Sequence, residues 1–348
     1  MSESSGSGVN PNIAHIVYAS DDKFSEILAV SLVSLYENSR DMDDIIVYVL
    51  NSGINSENKD KIDSISRSYH RSDIVWITAQ DVSKVLSMDV KVDRGSLSQY
   101  ARLFVSSDLP DDLERVLYLD CDIVINKSIK ELWNLDLHGK TIAALMDAFS
   151  SSYRANIGLE KNDVMFNSGV MLIDLNQWKS HRIEEKLLKF IEERKGRIQQ
   201  GDQGALNAVL SHDTYCFEPR FNSVTIFHDF NYDEMMIYRK PPKGYYSIQE
   251  IELAVDDPSI IHFTTSFLSK RPWVIGSQHR YVDVWLKFKA ISPWSSSPLW
   301  KDNTSGMRRT TISILRKLPR GLMIRLCGLA QAYGRPWKNR IIKFGAMR

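Results

Sequence analysis

At 348 residues, 43% hydrophobic and 25% charged, the chain has an ordinary globular balance, enough for one large domain or two small ones, which excludes wholesale disorder. Its formal net charge of +1 points to no polyanionic partner, yet the charge is unevenly spread: residues 301–348 hold 12 Lys/Arg and one acid, Asp302, leaving 32 basic and 42 acidic residues before them. Three widely spaced cysteines, Cys121, Cys216 and Cys327, form no CxxC pair, which speaks against a disulfide framework or structural zinc and for a reducing compartment.

Residues 1–12 are polar and Ser/Gly-rich and read as a disordered leader without a signal peptide. Residues 13–19 predict a short buried strand, and Ser20-Asp21-Asp22 a helix start. Ile27, Leu28, Val30, Leu32, Val33 and Leu35 predict a helix, 45–50 a strand, 58–69 a helix and 74–77 a third strand. This alternation predicts an α/β fold with a parallel sheet. Residues 100–105 read as helical. Residues 116–119 form an unbroken apolar strand, as in a sheet covered on both faces, and run into Asp120-Cys121-Asp122. Strands at 142–146, ending in Asp147, and 170–173 follow, then helices at 183–194 and 203–209 and a short strand at 260–263. Open α/β sheets bind ligands at the carboxyl ends of their strands, where Asp21, Asp120, Asp122 and Asp147 all fall, so the site is expected to be acidic. A compact domain over 13–292 is expected. The serines and prolines of 292–297 read as a linker, and 293–348 as a basic amphipathic tail.

In an extended segment residues i and i+2 point the same way, so Asp120 and Asp122 can converge on one divalent cation; the plainer reading is a solvated turn. An EF-hand is excluded, although Glu131 falls at its last ligand position, because Ile125 replaces the required Gly and Val124 a ligand. His262 is either a core histidine or a third ligand, and an imidazole beside two carboxylates favours manganese over calcium. Asp202 is either the N-cap of the 203–209 helix or, with Gln203, part of a polar sugar site. Asn167-Ser168-Gly169 reads as a turn into a strand. Lys270 and Arg271 are either a diphosphate clamp or a solvated basic loop.

The order and spacing of these pieces, from about residue 12 to Trp273, resemble glycosyltransferase family 8, the bacterial lipooligosaccharide galactosyl- and glucosyltransferases and glycogenin. Ala19-Ser20-Asp21-Asp22 is similar to the opening motif of that family, and Tyr100-Ala101-Arg102-Leu103 to its helix with a donor-contacting Arg. Val116–Asp122 matches its metal-binding D-x-D segment, Asn167-Ser168-Gly169-Val170 its N-[SA]-G-V segment, and Gly201-Asp202-Gln203, His262 and Pro272-Trp273 the remainder. The resemblance implies a GT-A fold with a mixed Rossmann-like sheet and retaining transfer of galactose or glucose from UDP-galactose or UDP-glucose to a glycan, glycolipid or glycoprotein. It implies Mn2+ (or Mg2+) on Asp120, Asp122 and His262. Ala19, Asp21, Lys23, Arg102, Asp120, Asn167, Lys270 and Arg271 would hold the donor, and Gln203, Asp202 and Asp147 would stand at the reacting sugar. Two departures stand out: Lys23 replaces an Asn near the uracil, and the loop from His262 to Pro272 is longer, leaving Arg271 or Lys270 as the phosphate cation.

A nucleotidyltransferase would want a glycine-rich basic loop where 19–24 is acidic, and a catalytically inactive sugar-nucleotide-binding module would not need the intact ligand set. Nucleic acid is not an expected partner, since neither a zinc-finger nor an RNP pattern occurs. In the tail, Leu315, Leu318, Leu322, Leu326 and Leu329 recur three or four apart among Arg316, Lys317, Arg320 and Arg325, with Pro319 and Gly321 splitting two short helices. Tyr333, Trp337 and Phe344 then alternate with cations. The pattern fits either a helix packed on the domain or a segment lying on an anionic membrane, which places the protein in the cytoplasm, peripheral on the inner face of the plasma membrane.

Overall fold

The structure, a computed structural model, describes residues 12–91 and 97–343. Most of the expected leader and Phe344 lie outside the described residues. Among the described residues, ten strands form two sheets. In the larger, the order is β3 (Val75–Thr78), β2 (Asp44–Asn51), β1 (Ile13–Ser20), β4 (Arg115–Leu119), β7 (Phe166–Asp174), β6 (Ile142–Met146) and β8 (Thr214–Cys216). In the smaller, β5 (Ile123–Ile125), β10 (Ile260–His262) and β9 (Ser223–Val224) lie side by side.

The sheet is parallel only in part. Strands β3, β2, β1 and β4 run the same way, but β7 is antiparallel to both β4 and β6. The mixed sheet therefore agrees with the family resemblance and corrects the all-parallel expectation. Strand–helix alternation does not fix direction here: β7 follows β6 through the short helix Ser151–Asn156 and still inserts antiparallel between β4 and β6.

Both faces of the large sheet are covered. Along β1, Ala14, Ile16 and Tyr18 enter one core and Val17 the other; along β4, Leu117 and Leu119 are separated from Val116 and Tyr118 in the same way. The helix Ser25–Asn38 is buried along most of its length. Its small residues admit close neighbours: Ser31 Oγ lies 3.1 Å from the Tyr18 hydroxyl, and Ser34 Oγ accepts from Ile125 N on β5 at 2.9 Å. Each fully buried Leu, Ile or Val of such a helix contributes roughly 1.5–3 kcal/mol. The predicted helix at 100–105 is instead a 3-10 segment, Leu97–Phe104, followed by the short helix Val105–Asp108.

The stretch read as a linker is fastened to the domain. Lys289 Nζ, itself buried, pairs with Glu26 at 2.7 Å; Trp294 is buried; and Trp300 accepts from Ile275 N and donates to Trp273 O at 2.9 and 2.7 Å. Serine and proline content alone misses these two tryptophans. The tail then forms the helices Gly306–Arg316 and Arg320–Leu329, divided at Pro319 as expected, the second continuing through wider turns to residue 343. The break turns the leucine pattern: Leu315 and Leu318 lean on the core, whereas Leu322, Leu326 and Leu329 face outward and Met323, Ile324 and Gly328 face the domain. The inward face packs on the helix Tyr232–Arg239. A Cβ on Gly328 would stand 2.7 Å from the Ile237 carbonyl, and Arg320 grips Glu234 with bonds of 2.6 and 2.7 Å.

Candidate active site

The carboxyl ends of β1, β4 and β6 open on one cleft of about 380 Å³. Its walls include Ala19, Asp21, Arg102, Asp120, Asp122, Asp147, Asn167, Asp202, Gln203, His262 and Arg271, all singled out by sequence. Lys23 and Lys270 are not among them. Lys23 is exposed, with Nζ 5.8 Å from the Trp300 ring, and Lys270 pairs with Asp302 at 3.1 Å and donates to the Ile275 carbonyl.

Asp120 and Asp122 meet His262, some 140 residues away, through the small sheet. Antiparallel pairing sets His262 opposite Ile123, immediately after Asp122, and Phe263 N donates to Asp122 O at 2.9 Å. One ligand atom from each of the three lies within 4.8 Å of the others. His262 Nε2 is 3.2 Å from Asp122 Oδ1 and 3.9 Å from Asp120 Oδ2. Its Nδ1 lies 2.9 Å from Asn222 Oδ1, an oxygen that can only accept, so Nδ1 carries a proton and Nε2 is the nitrogen turned toward the carboxylates. Asn222 Nδ2 donates to Asn167 Oδ1 at 2.9 Å, and that oxygen also accepts from Gly169 N at 3.0 Å.

Gly169 leaves room for this arrangement. A Cβ there would fall 2.2 Å from His262 Cε1 and 2.9 Å from Asp120 Oδ2. The surrounding strand is bulged: β6 pairs Ala144 with Met171 but Leu145 with Asn167, so residues 168–170 have no β6 partner and swell toward the cleft. On the other edge Asp120 N donates to Gly169 O at 2.7 Å. Two hard oxygens and one imidazole, oriented by a second shell, suit a divalent cation such as manganese or magnesium.

Arginines bind the two carboxylates from outside. Arg102, buried on the 3-10 segment, reaches Asp120 and Asp202 at 2.9 Å each, donates to Ser168 O at 2.7 Å and lies 4.5 Å from the centroid of Tyr118. Arg271 meets Asp122 at 2.9 Å. Burial pushes the Asp122 carboxyl up, but Arg271 and then His262 outweigh it and bring it down to about 2. Asp202 goes the other way: burial raises it to about 6, against the pull of Arg102. Burial likewise raises Asp147, with Arg239 opposing.

Asp202 does not cap its helix. The helix Gly201–Leu210 starts at Gln200, held at φ 69°, and Asp202 lies inside the first turn facing the cleft. Asn207 fixes this helix to β7, bonding both the N–H and the carbonyl of Phe166 at 2.6 and 2.9 Å, and Gln203 Oε1 lies 3.5 Å from Ser168 N. Sequence reasoning missed Asn222, Phe24, Phe149 and Arg239. Asn222 had one visible signal, a lone amide between the apolar Phe221 and Val224. Phe24 lines the cleft where Lys23 was expected.

Comparison with known proteins bears on this arrangement. Residues 15–274 match the sequence profile described as Glycosyl transferase family 8. The chain is 27% identical over 288 residues to General stress protein A of Bacillus subtilis, covering 82% of this chain and 96% of that protein. It is 23% identical over 334 residues to the lipopolysaccharide 1,2-glucosyltransferase of Escherichia coli, covering 92% and 91%. The crystal structure of the galactosyltransferase LgtC with donor and acceptor sugar analogs superposes with a TM-score of 0.67 at 22% identity, over 80% of this chain and 96% of that one, which shows a shared GT-A fold. The chain belongs to glycosyltransferase family 8.

Proposed function

We propose that the protein moves galactose or glucose from a UDP-sugar to a hydroxyl of a glycan, glycolipid or glycoprotein, retaining the anomeric configuration and using Mn2+ or Mg2+. The observation that carries this reading is one cleft with Asp120, Asp122 and His262 near Arg271 on one side and Asp147, Asp202 and Gln203 on the other. Asp120, Asp122 and His262 would hold the cation, which would supply positive charge to the leaving diphosphate. Arg271, which lines the cleft beside Asp122, adds a second positive charge there and is preferred to Lys270, which does not line it. Ala19 and Asp21, with Phe24 in place of Lys23, face the nucleoside; Asn167 shapes the diphosphate end; Arg102 and Asp147 position the hexose. Asp202 holds a sugar hydroxyl, and the Gln203 carboxamide lies beside the reacting carbon. A carboxamide is a weak nucleophile, so the acceptor hydroxyl bonds to the anomeric carbon on the face from which UDP departs, as the bond from that carbon to the phosphate oxygen breaks and the hydroxyl proton leaves on the departing diphosphate.

Turnover of UDP-galactose and UDP-glucose with manganese tests this directly. Slow hydrolysis that stops in excess chelator and in Asp122→Asn, with transfer products keeping the α-linkage by NMR, is the expected result. Full activity in chelator, or a preference for GDP- or CMP-sugars, would sink it.

The tail supports a location. Among the described residues no helix is long and apolar enough to cross a membrane. The second tail helix nevertheless turns Leu322, Leu326, Leu329, Tyr333 and Trp337 outward, with Trp337 65% exposed, beside the exposed Arg325, Lys338 and Arg340. We assign this stripe to the anionic inner face of the plasma membrane, where each cation contributes about 1 kcal/mol. Because the opposite face of the helix is packed on the domain, substitutions on the outward face are a cleaner test than truncation. Leu326→Glu with Trp337→Glu should free the protein from anionic vesicles at low salt while UDP-sugar hydrolysis persists; wild-type protein that fails to sediment with those vesicles would remove the assignment.

A further inference from the structure

Besides the residues assigned to the donor, the cleft is lined by Phe149, Val224, Ile226 and Arg239; Val224 pairs with His262, and Phe149 lies against Arg239. Three of these offer apolar surface. Arg239, the last residue of the helix Tyr232–Arg239, offers a cation, and the protein gives it little in return. Its guanidinium carbon lies 4.7 Å from the Phe149 ring centroid and 5.7 Å from that of Tyr238. Among the described residues it makes no hydrogen bond and no ion pair within 4 Å, and its buried Nε lacks a partner.

The surrounding charges do not remove the need for one. Asp147 is the carboxylate that acts on Arg239, and it shares that charge with Arg154 behind it. Arg154 is fully buried, donates to the carbonyls of Asp163 and Phe149, and also leaves one terminal nitrogen, Nη2, unpartnered. Asp163 acts on Arg154 and also faces His212 at 3.5 Å. Arg239 is held in place from outside, because its helix is pinned to the tail by Arg320–Glu234 and by the close approach of Gly328 to the Ile237 carbonyl.

We infer that Arg239 selects an acceptor carrying a phosphate or carboxylate close to the accepting hydroxyl; this rests on the transferase reading above. A neutral sugar stacked on Phe149 could offer hydroxyl oxygens to the N–H groups but no negative charge, so the guanidinium it covers would stay without a counterion. An anionic group offers two oxygens to the planar fork of the guanidinium, the geometry for which arginine is suited. The apolar floor then receives a face of the acceptor ring, and the charge fixes which hydroxyl points toward the donor carbon.

The test uses the full chain loaded with UDP and magnesium, so that the diphosphate end is occupied. Methyl glucoside and methyl galactoside are titrated by calorimetry against their 6-phosphates and the corresponding uronosides. At least one anionic form should bind about tenfold or more tightly than its neutral parent, the phosphate and uronoside arms showing which anion is read. Arg239→Gln should erase that difference and Arg239→Lys should keep part of it. Equal affinities, no binding of any anionic form, or a preference that survives Arg239→Gln would overturn the assignment. A change in affinity for UDP-galactose or UDP-glucose in place of the acceptor would also overturn it, giving the guanidinium to the donor. Failure of wild-type protein to bind UDP with metal would instead strike the transferase reading itself.

Discussion

The two ends of the cleft are built differently. At the metal end, His262 is oriented by Asn222, Asn222 by Asn167, and Asn167 bonds the backbone of the bulge that carries Gly169. Both aspartates are gripped by arginines. At the far end, Arg239 has ring contacts but no polar partner, and its support comes from the tail helix behind it. The first end is preorganised, which fits the metal–diphosphate proposed for it. The second leaves a polar group unsatisfied, which fits the proposed acceptor site.

The largest effect expected from this contrast comes from a single methyl group. Gly169→Ala places a Cβ against His262 and Asp120, so the metal trio cannot close; manganese binding by calorimetry should disappear in a protein that still folds by circular dichroism. Retained manganese affinity would show that the metal end is looser than its hydrogen bonds suggest.

A smaller loss should follow Asn222→Ala. His262 stays but loses the acceptor that holds its ring, and metal affinity should fall by about 10–100-fold, the range for losing a hydrogen-bond partner of a metal-binding histidine. Hydrolysis of the UDP-sugar should then recover as manganese is raised. No recovery would mean that Asn222 does more than orient the imidazole.

The smallest effect is expected at the other end. Gly328→Ala also adds a methyl at a close contact, but the contact is between two helices far from the metal. Urea unfolding should show a loss of about 1–3 kcal/mol, typical of overpacking, with manganese affinity unchanged. A fall in manganese affinity would break the distinction between the two ends.

The same distinction governs what the sequence disclosed. The metal end was legible because strand ends carry ligands and Asp120-x-Asp122 puts two carboxylates on one side. The residues that converge there come from apolar strands whose boundaries are easily read. Asn222 was not legible, because nothing local to residues 221–224 indicates that β9 lies beside β10 and brings that amide under His262. Arg239 was hidden for a related reason: it ends an ordinary surface helix, and only the long-range packing of that helix turns it into the cleft. Lys23 was placed at the site by the family resemblance and Lys270 by its place shortly after His262, but Lys23 lies by the Trp300 ring and Lys270 pairs with Asp302. The reversal of β7 was likewise invisible to periodicity, which reports burial and not strand direction.

The central claim is that Asp120, Asp122 and His262 hold a divalent cation through which the protein binds a UDP-sugar diphosphate. Calorimetric titration of UDP into the full chain, with manganese and with chelator, for wild type and Asp122→Asn, tests it most directly. The account predicts that manganese tightens UDP binding by about tenfold or more in wild type and has no such effect in Asp122→Asn. Equal UDP affinity with manganese and with chelator in the wild-type protein would contradict it.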